Sequence, residues 1–365
     1  MSSRHLARLV ANGGIVWLVV AAITLYAIVA SDTFRTSDNL TNLSRQMIVL
    51  GLASLGQYVV VLAGGVDLSI GSNVRVAAIV GAMVMDASDG RFVIGVTCAL
   101  AVAALIGLVN GGLSVLLTVE PFISTLGTGA VVGGLALYLA DRSTNRASPF
   151  WTDLYTAEIG PVPVLVIIAV VIFGLVWLQL YRMRWGRHLY AVGGNAEVAR
   201  LSGVRSTRVA ISAYAAGGLL AGCAGLMMLG RTGMGDATAA SSLAFESLAV
   251  VVIGGASLAG GRGRFVGLVG GIVLFGMLTN VFVLSNVDVW YQELVRGAVI
   301  LVSAALYVQR RTVSARHGTA EASATSYPQP SLTTPNVPTQ ETDHGPRRRP
   351  VIHLRDGARP TDPRA

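Results

Sequence analysis

Few residues in this chain are able to do chemistry, and most of them are set in apolar surroundings. All 27 basic residues are arginine. With no lysine, the chain can neither grip a phosphate in a Walker A loop nor form a Schiff base. Cys98 and Cys223 each lie inside an apolar run, which argues against a disulfide framework. His188 is the only histidine outside the terminal segments, and no HExxH, CxxC or histidine cluster offers a metal site. The run GRGRFVG at Gly261–Gly267 lacks the spacing and the preceding strand of a dinucleotide fingerprint. No nucleophile–base pair is evident. These residues exclude ATP hydrolysis by the P-loop route within this chain, and they predict no cofactor, no metal and no enzyme activity.

The elements that position these residues follow from composition. The chain is 53% hydrophobic and 13% charged, with a mean hydropathy of +0.63, where soluble domains carry about 25% charge. An all-α, polytopic membrane protein is predicted. Ten apolar runs approach spanning length, about 17–25 residues: Gly13–Ala30, Gln46–Ala63, Leu68–Met85, Phe92–Thr118, Phe122–Ala140, Val162–Tyr181, Val209–Arg231, Leu243–Leu258, Phe265–Leu284 and Trp290–Val308. The first is too long for a signal-peptide core and is followed by no A-x-A site. Alternate loops hold twelve arginines against six, so the positive-inside rule places both termini in the cytosol. The chain then divides into a cytosolic segment 1–12, a transmembrane domain 13–308 with a cytosolic loop at 182–208, and a tail 309–365. Eight of the twelve prolines fall in that tail, which is too poor in apolar residues to fold and is predicted to be disordered. The net charge of +8 suits an anionic lipid face, not nucleic acid.

Within this frame, VVLAGGVDLSIG (Val60–Gly71) is echoed by VVVIGGASLAGG (Val250–Gly261) at an offset of 190 residues. Both close a run crossing in the same direction, as in a weak parallel internal repeat, an arrangement that places a transport path between halves. Asp67 and Ser69 suit capping of the helix that follows, and the second copy has Ser257 where the first has Asp67. A charge at mid-membrane costs about 2.5–3.5 kcal/mol or more, so Arg75, Glu120, Glu246, Glu293 and Arg296 are expected to face protein or a watery cavity. Asp67, Asn73 and Glu246 are candidates for lining a path, with capping or anchoring as the alternative for each. Glycine pairs such as Gly107/Gly111 and Gly218/Gly222 predict close helix crossings.

One polar, glycine-punctuated insert interrupts the apolar runs: GRHLYAVGGNAEVARLSGV, Gly186–Val204. Asn195 is a good N-cap, Glu197 falls in the first turn and Gly203 is a stop signal, so a two-turn helix is predicted over Ala196–Ser202, presented by Gly193 and Gly194. With Arg187 and Arg200 beside it, such a helix suits insertion into a partner's groove. An interfacial helix is the alternative.

This insert resembles the cytosolic coupling loop of bacterial ABC-importer permeases of the ribose/galactose/xylose type, a group that also includes branched-chain amino-acid permeases. Glu197, Val198, Ala199 and Gly203 are similar to the E-A-A-x-x-x-G signature, with Val198 where the pattern has alanine. GGVDLSIG (Gly64–Gly71), PFISTLGTG (Pro121–Gly129) and FESLAVVVIGGASLAGGRG (Phe245–Gly263) resemble the same family, in matching order from about Gln46 to Val308. The resemblance implies a plasma-membrane permease subunit for a monosaccharide or related solute. It also implies cytosolic ABC ATPase partners, an extracytoplasmic solute-binding protein and a second permease copy. Gly186, Arg187, Gly193, Gly194, Asn195, Glu197, Ala199, Arg200 and Gly203 would then form the ATPase-coupling surface. An ion-coupled transporter using a membrane carboxylate, and a permease for branched-chain amino acids or nucleosides, are the competing expectations.

Overall fold

The computed structural model describes residues 14–141, 146–288, 290–298 and 301. All belong to one compact unit, Met1–Val313; a second unit, Ser314–Ala365, lies outside the described residues, as does the segment 1–12. The described part is helical: α1 (Gly14–Ala30), α2 (Ser37–Leu62), α3 (Ile70–Met85), α4 (Phe92–Val115), α5 (Pro121–Ala140), α6 (Pro149–Thr156), α7 (Val164–Arg182), α8 (Arg184–Gly194), α9 (Ala196–Leu201), α10 (Ser206–Thr232), α11 (Leu243–Ile253) and α12 (Phe265–Leu284). Residues 290–298 and 301 are also helical. A two-residue ribbon, β1 (Glu158–Ile159) and β2 (Val162–Pro163), pairs antiparallel before α7. Among the described residues, six helices are long and apolar enough to cross a membrane: α2, α4 (with the short turn before it), α5, α7, α10 and α12.

The centre is built by α2, α3, α4 and α10. Leu52, Leu55, Ile70, Ile79 and Leu229 have no exposed surface there. Helix α4 crosses α10 where the two glycine stripes meet. A Cβ on Gly107 would stand 2.3 Å from the Tyr214 carbonyl oxygen, and one on Gly218 would stand 2.4 Å from that of Ala103. The backbones touch directly, the close approach that small-residue spacing permits.

Several boundaries move. Helix α2 starts at Ser37, well before Gln46, because Thr36 caps it by accepting from Asn39 N at 3.3 Å and polar residues continue the helix. The run Leu243–Leu258 is not a spanning helix. Helix α11 has 11 residues, about 17 Å at 1.5 Å per residue, against a hydrocarbon core of about 30 Å. It ends at the second Gly-Gly pair, and hydropathy alone could not separate the helix from the apolar turn that follows. The 16 residues of α3 also fall short of a full crossing. Between α10 and α11, residues 233–242 are irregular and pack along α3: a Cβ on Gly235 would meet Ile79, and one on Gly71 would meet the Ala240 carbonyl.

Candidate functional site

The insert folds as two consecutive helices, where the sequence predicted one. Helix α8 buries Gly186, Leu189, Val192 and Gly193 and exposes Arg187 and Gly194. Gly193 and Gly194, expected to present the helix, do precede α9 and are themselves the last turn of α8. The spacing of Trp185, Leu189 and Val192 was the available signal of an amphipathic turn. At Asn195 the chain is extended, and its Oδ1 accepts from Glu197 N and Val198 N at 3.0 Å each, starting α9. Gly203, at φ +84°, closes it; its N–H donates to the Arg200 carbonyl and Val204 N–H donates to that of Ala199, both at 3.0 Å. Ala199 is buried against the bundle, whereas Val198 and Leu201 are 57% and 74% exposed. Arg200 Nε donates to Glu197 Oε2 at 3.0 Å. This hydrogen bond and the arginine's charge lower the Glu197 carboxyl below its usual range.

The base of this unit rests on the turn after α2 and on Gly260 and Gly261, in the loop that follows α11. After α2 the chain stops in a Schellman turn: Gly64 has φ +87°, its N–H donates to the Val61 carbonyl at 2.9 Å, and Gly65 N–H donates to that of Val60 at 3.1 Å. After α11 the pattern recurs with Gly255 at φ +86°, its N–H on Val252 at 2.9 Å and Ala256 N–H on Val251 at 3.1 Å. The structural equivalence is therefore Gly64 with Gly255, one residue beyond the offset that best aligns the letters, because the left-handed position sets the register. Gly193 lies against the first turn and against the loop beyond the second. A Cβ there would stand 1.8 Å from the Leu62 carbonyl oxygen and 2.5 Å from Gly261 N. Gly261 N–H itself donates to the Leu62 carbonyl at 3.0 Å.

The turn after α2 is held by side chains from four helices. Asp67 Oδ1 accepts from Ser69 N (2.8 Å), Ser69 Oγ (2.6 Å) and Asn110 Nδ2 (3.4 Å). Thr125 Oγ1 accepts from Leu68 N at 3.0 Å, and Tyr214 Oη donates to the Val66 carbonyl at 3.5 Å. With its amide turned so that oxygen and nitrogen both find partners, Gln57 brackets Asp67, donating to its carbonyl at 2.9 Å and accepting from its N–H at 3.3 Å. Asp67 and Asn73 have no exposed surface; Asn73 Nδ2 donates to the Ala103 carbonyl at 3.1 Å. Glu246 accepts from Ser242 Oγ at 2.7 Å and from Arg296 at 3.1 Å. No polar contact among the described residues joins these three candidates. Asp67 organises a turn, Asn73 ties α3 to α4, and Glu246 anchors the helix at 290–298.

The profile of a family described as the branched-chain amino acid transport system permease component matches residues 39–304. The chain belongs to this family. Among curated relatives, the permease is 34% identical over 293 residues to the ribose import permease protein RbsC of Escherichia coli K12, covering 78% of this chain and 91% of the relative. It is 29% identical over 294 residues to the D-allose transport system permease protein AlsC of the same organism (80% and 90% covered). It is 30% identical over 311 residues to the fructose import permease protein FrcC of Rhizobium meliloti (82% and 85% covered). No solved structure matches it. The permease is a transporter component and not an enzyme, and it resides in the membrane.

Two features of the permease were not singled out from sequence. Arg75, flagged only as an ionisable group, donates to the Ala237 carbonyl and to Ser72 Oγ, at 2.9 Å each. Its partner is a backbone carbonyl, which leaves no trace in residue types. The irregular segment that supplies this carbonyl lies between the apolar runs Val209–Arg231 and Leu243–Leu258.

Proposed function

We propose that this permease is the membrane subunit of an ATP-driven importer for a monosaccharide or closely related solute. The names of its relatives support this solute class above branched-chain amino acids. Two copies would form the path, with cytosolic ABC ATPases on one side and an extracytoplasmic solute-binding protein on the other. Ten membrane-embedded segments with both termini cytosolic agree with the arginines at 182–208, 262 and 264, which share one end of the bundle with α9. The domain limits at 13–308 and the cytosolic tail follow from the same arrangement.

The observation that carries this reading is the seat of Gly193 on the Leu62 carbonyl at the turn after α2 and on Gly261 in the loop before α12. Helix α9 offers Val198 and Leu201 outward, framed by the Glu197–Arg200 pair, as a knob for an ATPase groove. Displacement of α9 by the ATPases would pass through Gly193 to the turn before α3 and to the loop between α11 and α12. The ATPase states then bias the permease by their differential contact with α9. Ion coupling through Glu246 is disfavoured because Arg296 already holds its carboxylate. The test is co-purification with the cognate ATPase: Glu197→Arg or Gly203→Pro should abolish both association and uptake. Full retention of both by either variant would show that α9 is not the docking element.

A further inference from the structure

The segment 233–242 occupies a depth where irregular backbone needs a reason. Arg75, which grips its Ala237 carbonyl at 2.9 Å, is ten residues from Met85 at the end of α3, about 15 Å along the axis at 1.5 Å per residue and near the middle of a core about 30 Å thick. Thr238 and Ser241 are exposed there. No hydrogen bond among the described residues reaches their carbonyl oxygens. Polar side chains and free carbonyls at that depth cannot face hydrocarbon; irregular backbone persists in a membrane only when packed in protein or lining a watery cavity. The break also sets the N-terminus of α11 inside the bilayer, the arrangement of discontinuous helices around solute sites.

The charged side chains nearby are held by local hydrogen bonds or, for Glu246, by an ion pair. Both terminal nitrogens of Arg75 bond to Ala237 and Ser72, Asp236 Oδ1 accepts from Thr238 N and Oγ1 at 2.7 Å each, and Glu246 is paired with Arg296 at 3.1 Å. A zwitterionic amino acid would need an open cation and an open anion. A neutral polyhydroxy solute needs donors and acceptors of the hydroxyl and carbonyl kind, which this wall has.

We propose that residues 236–242, braced by Arg75, form the solute-facing wall of the translocation path and select for neutral polyhydroxy compounds. This deepens the importer reading and rests on it. In a chain carrying Cys98→Ala and Cys223→Ala, assayed in membranes with its ATPase bound, Thr238→Cys and Ser241→Cys should react with a charged methanethiosulfonate at least about tenfold faster than Val170→Cys on α7. Equal rates overturn the wall. With Thr238→Val and Ser241→Ala combined, uptake of monosaccharides (D-ribose, D-allose and D-fructose as probes) should fall at least about fivefold with ATPase association unchanged. Undiminished uptake, or a parent chain that takes up L-leucine and none of the three sugars, overturns the solute class. Loss of ATPase association in the parent chain would instead count against the importer reading, so the two failures are separable.

Discussion

Single residues set the geometry of the coupling helix. Asn195 supplies one oxygen to two backbone N–H groups, so Asn195→Ala should cost α9 about 1 kcal/mol and weaken ATPase association several-fold in a binding titration. The Glu197–Arg200 pair is fully exposed, so its effect is on shape and recognition. Because Arg200 depresses the Glu197 carboxyl, any stabilisation is present above the unfolded-state pKa and lost only as pH falls through the depressed value. ATPase association should therefore be flat from about pH 8 to about pH 6 as far as this pair is concerned; a transition inside that window would assign the dependence elsewhere. Asp67 is a different case. Asp67→Ala strips the acceptor from Ser69 N and Ser69 Oγ in a fully buried turn, an expected loss of about 1–3 kcal/mol per unsatisfied group, read as a lower Tm in detergent. Asp67→Asn, which keeps an Oδ1 acceptor, should retain most of the stability.

At the scale of elements, legibility depended on whether the deciding information was local. Phe265–Leu284 is bracketed by Arg264 and Ser285, and its limits could be read directly. The capped turn at Asn195 and the stop at Gly203 were also local and were read correctly. The length of α11 was not, because the turn after its eleven helical residues carries no charge and ends in Leu258, so the apolar run continues past the αL position of Gly255 that stops the helix. Helix α8 was hidden by Gly193 and Gly194, which read as breakers, although Gly193 serves close packing against the Leu62 carbonyl. The network around Asp67 joins residues from α2, α4, α5 and α10, so its members could be suspected singly but not assembled. The ion cluster of Glu246, Arg296 and Glu293 makes a further test at this scale. Arg296 and Glu246 are 18% and 14% exposed, so Arg296→Met should leave a poorly solvated carboxylate and cost roughly 2–4 kcal/mol. Combining it with Glu246→Met should recover most of that loss in the same thermal melt.

For the whole molecule, the seat of Gly193 makes the coupling loop, the turn after α2 and the loop before α12 one mechanical unit. Gly193→Ala puts a methyl where 1.8 Å separates it from the Leu62 oxygen, so the loop must lift from its seat. Uptake should fall at least about tenfold while ATPase association persists, since α9 itself is untouched; parallel uptake and pull-down measurements decide it. If association were lost as well, α9 and its seat would not be separable parts.

The same seat has a bearing on how the protein is made. Its floor combines the Leu62 carbonyl with Gly260 and Gly261, which the ribosome adds only after α8, α9, α10 and α11 are complete. A nascent chain thus displays its docking helix before the surface beneath it exists. Only a chain threaded through to the start of α12 can hold that helix in place, so a firm hold on α9 doubles as a report that synthesis has passed α11.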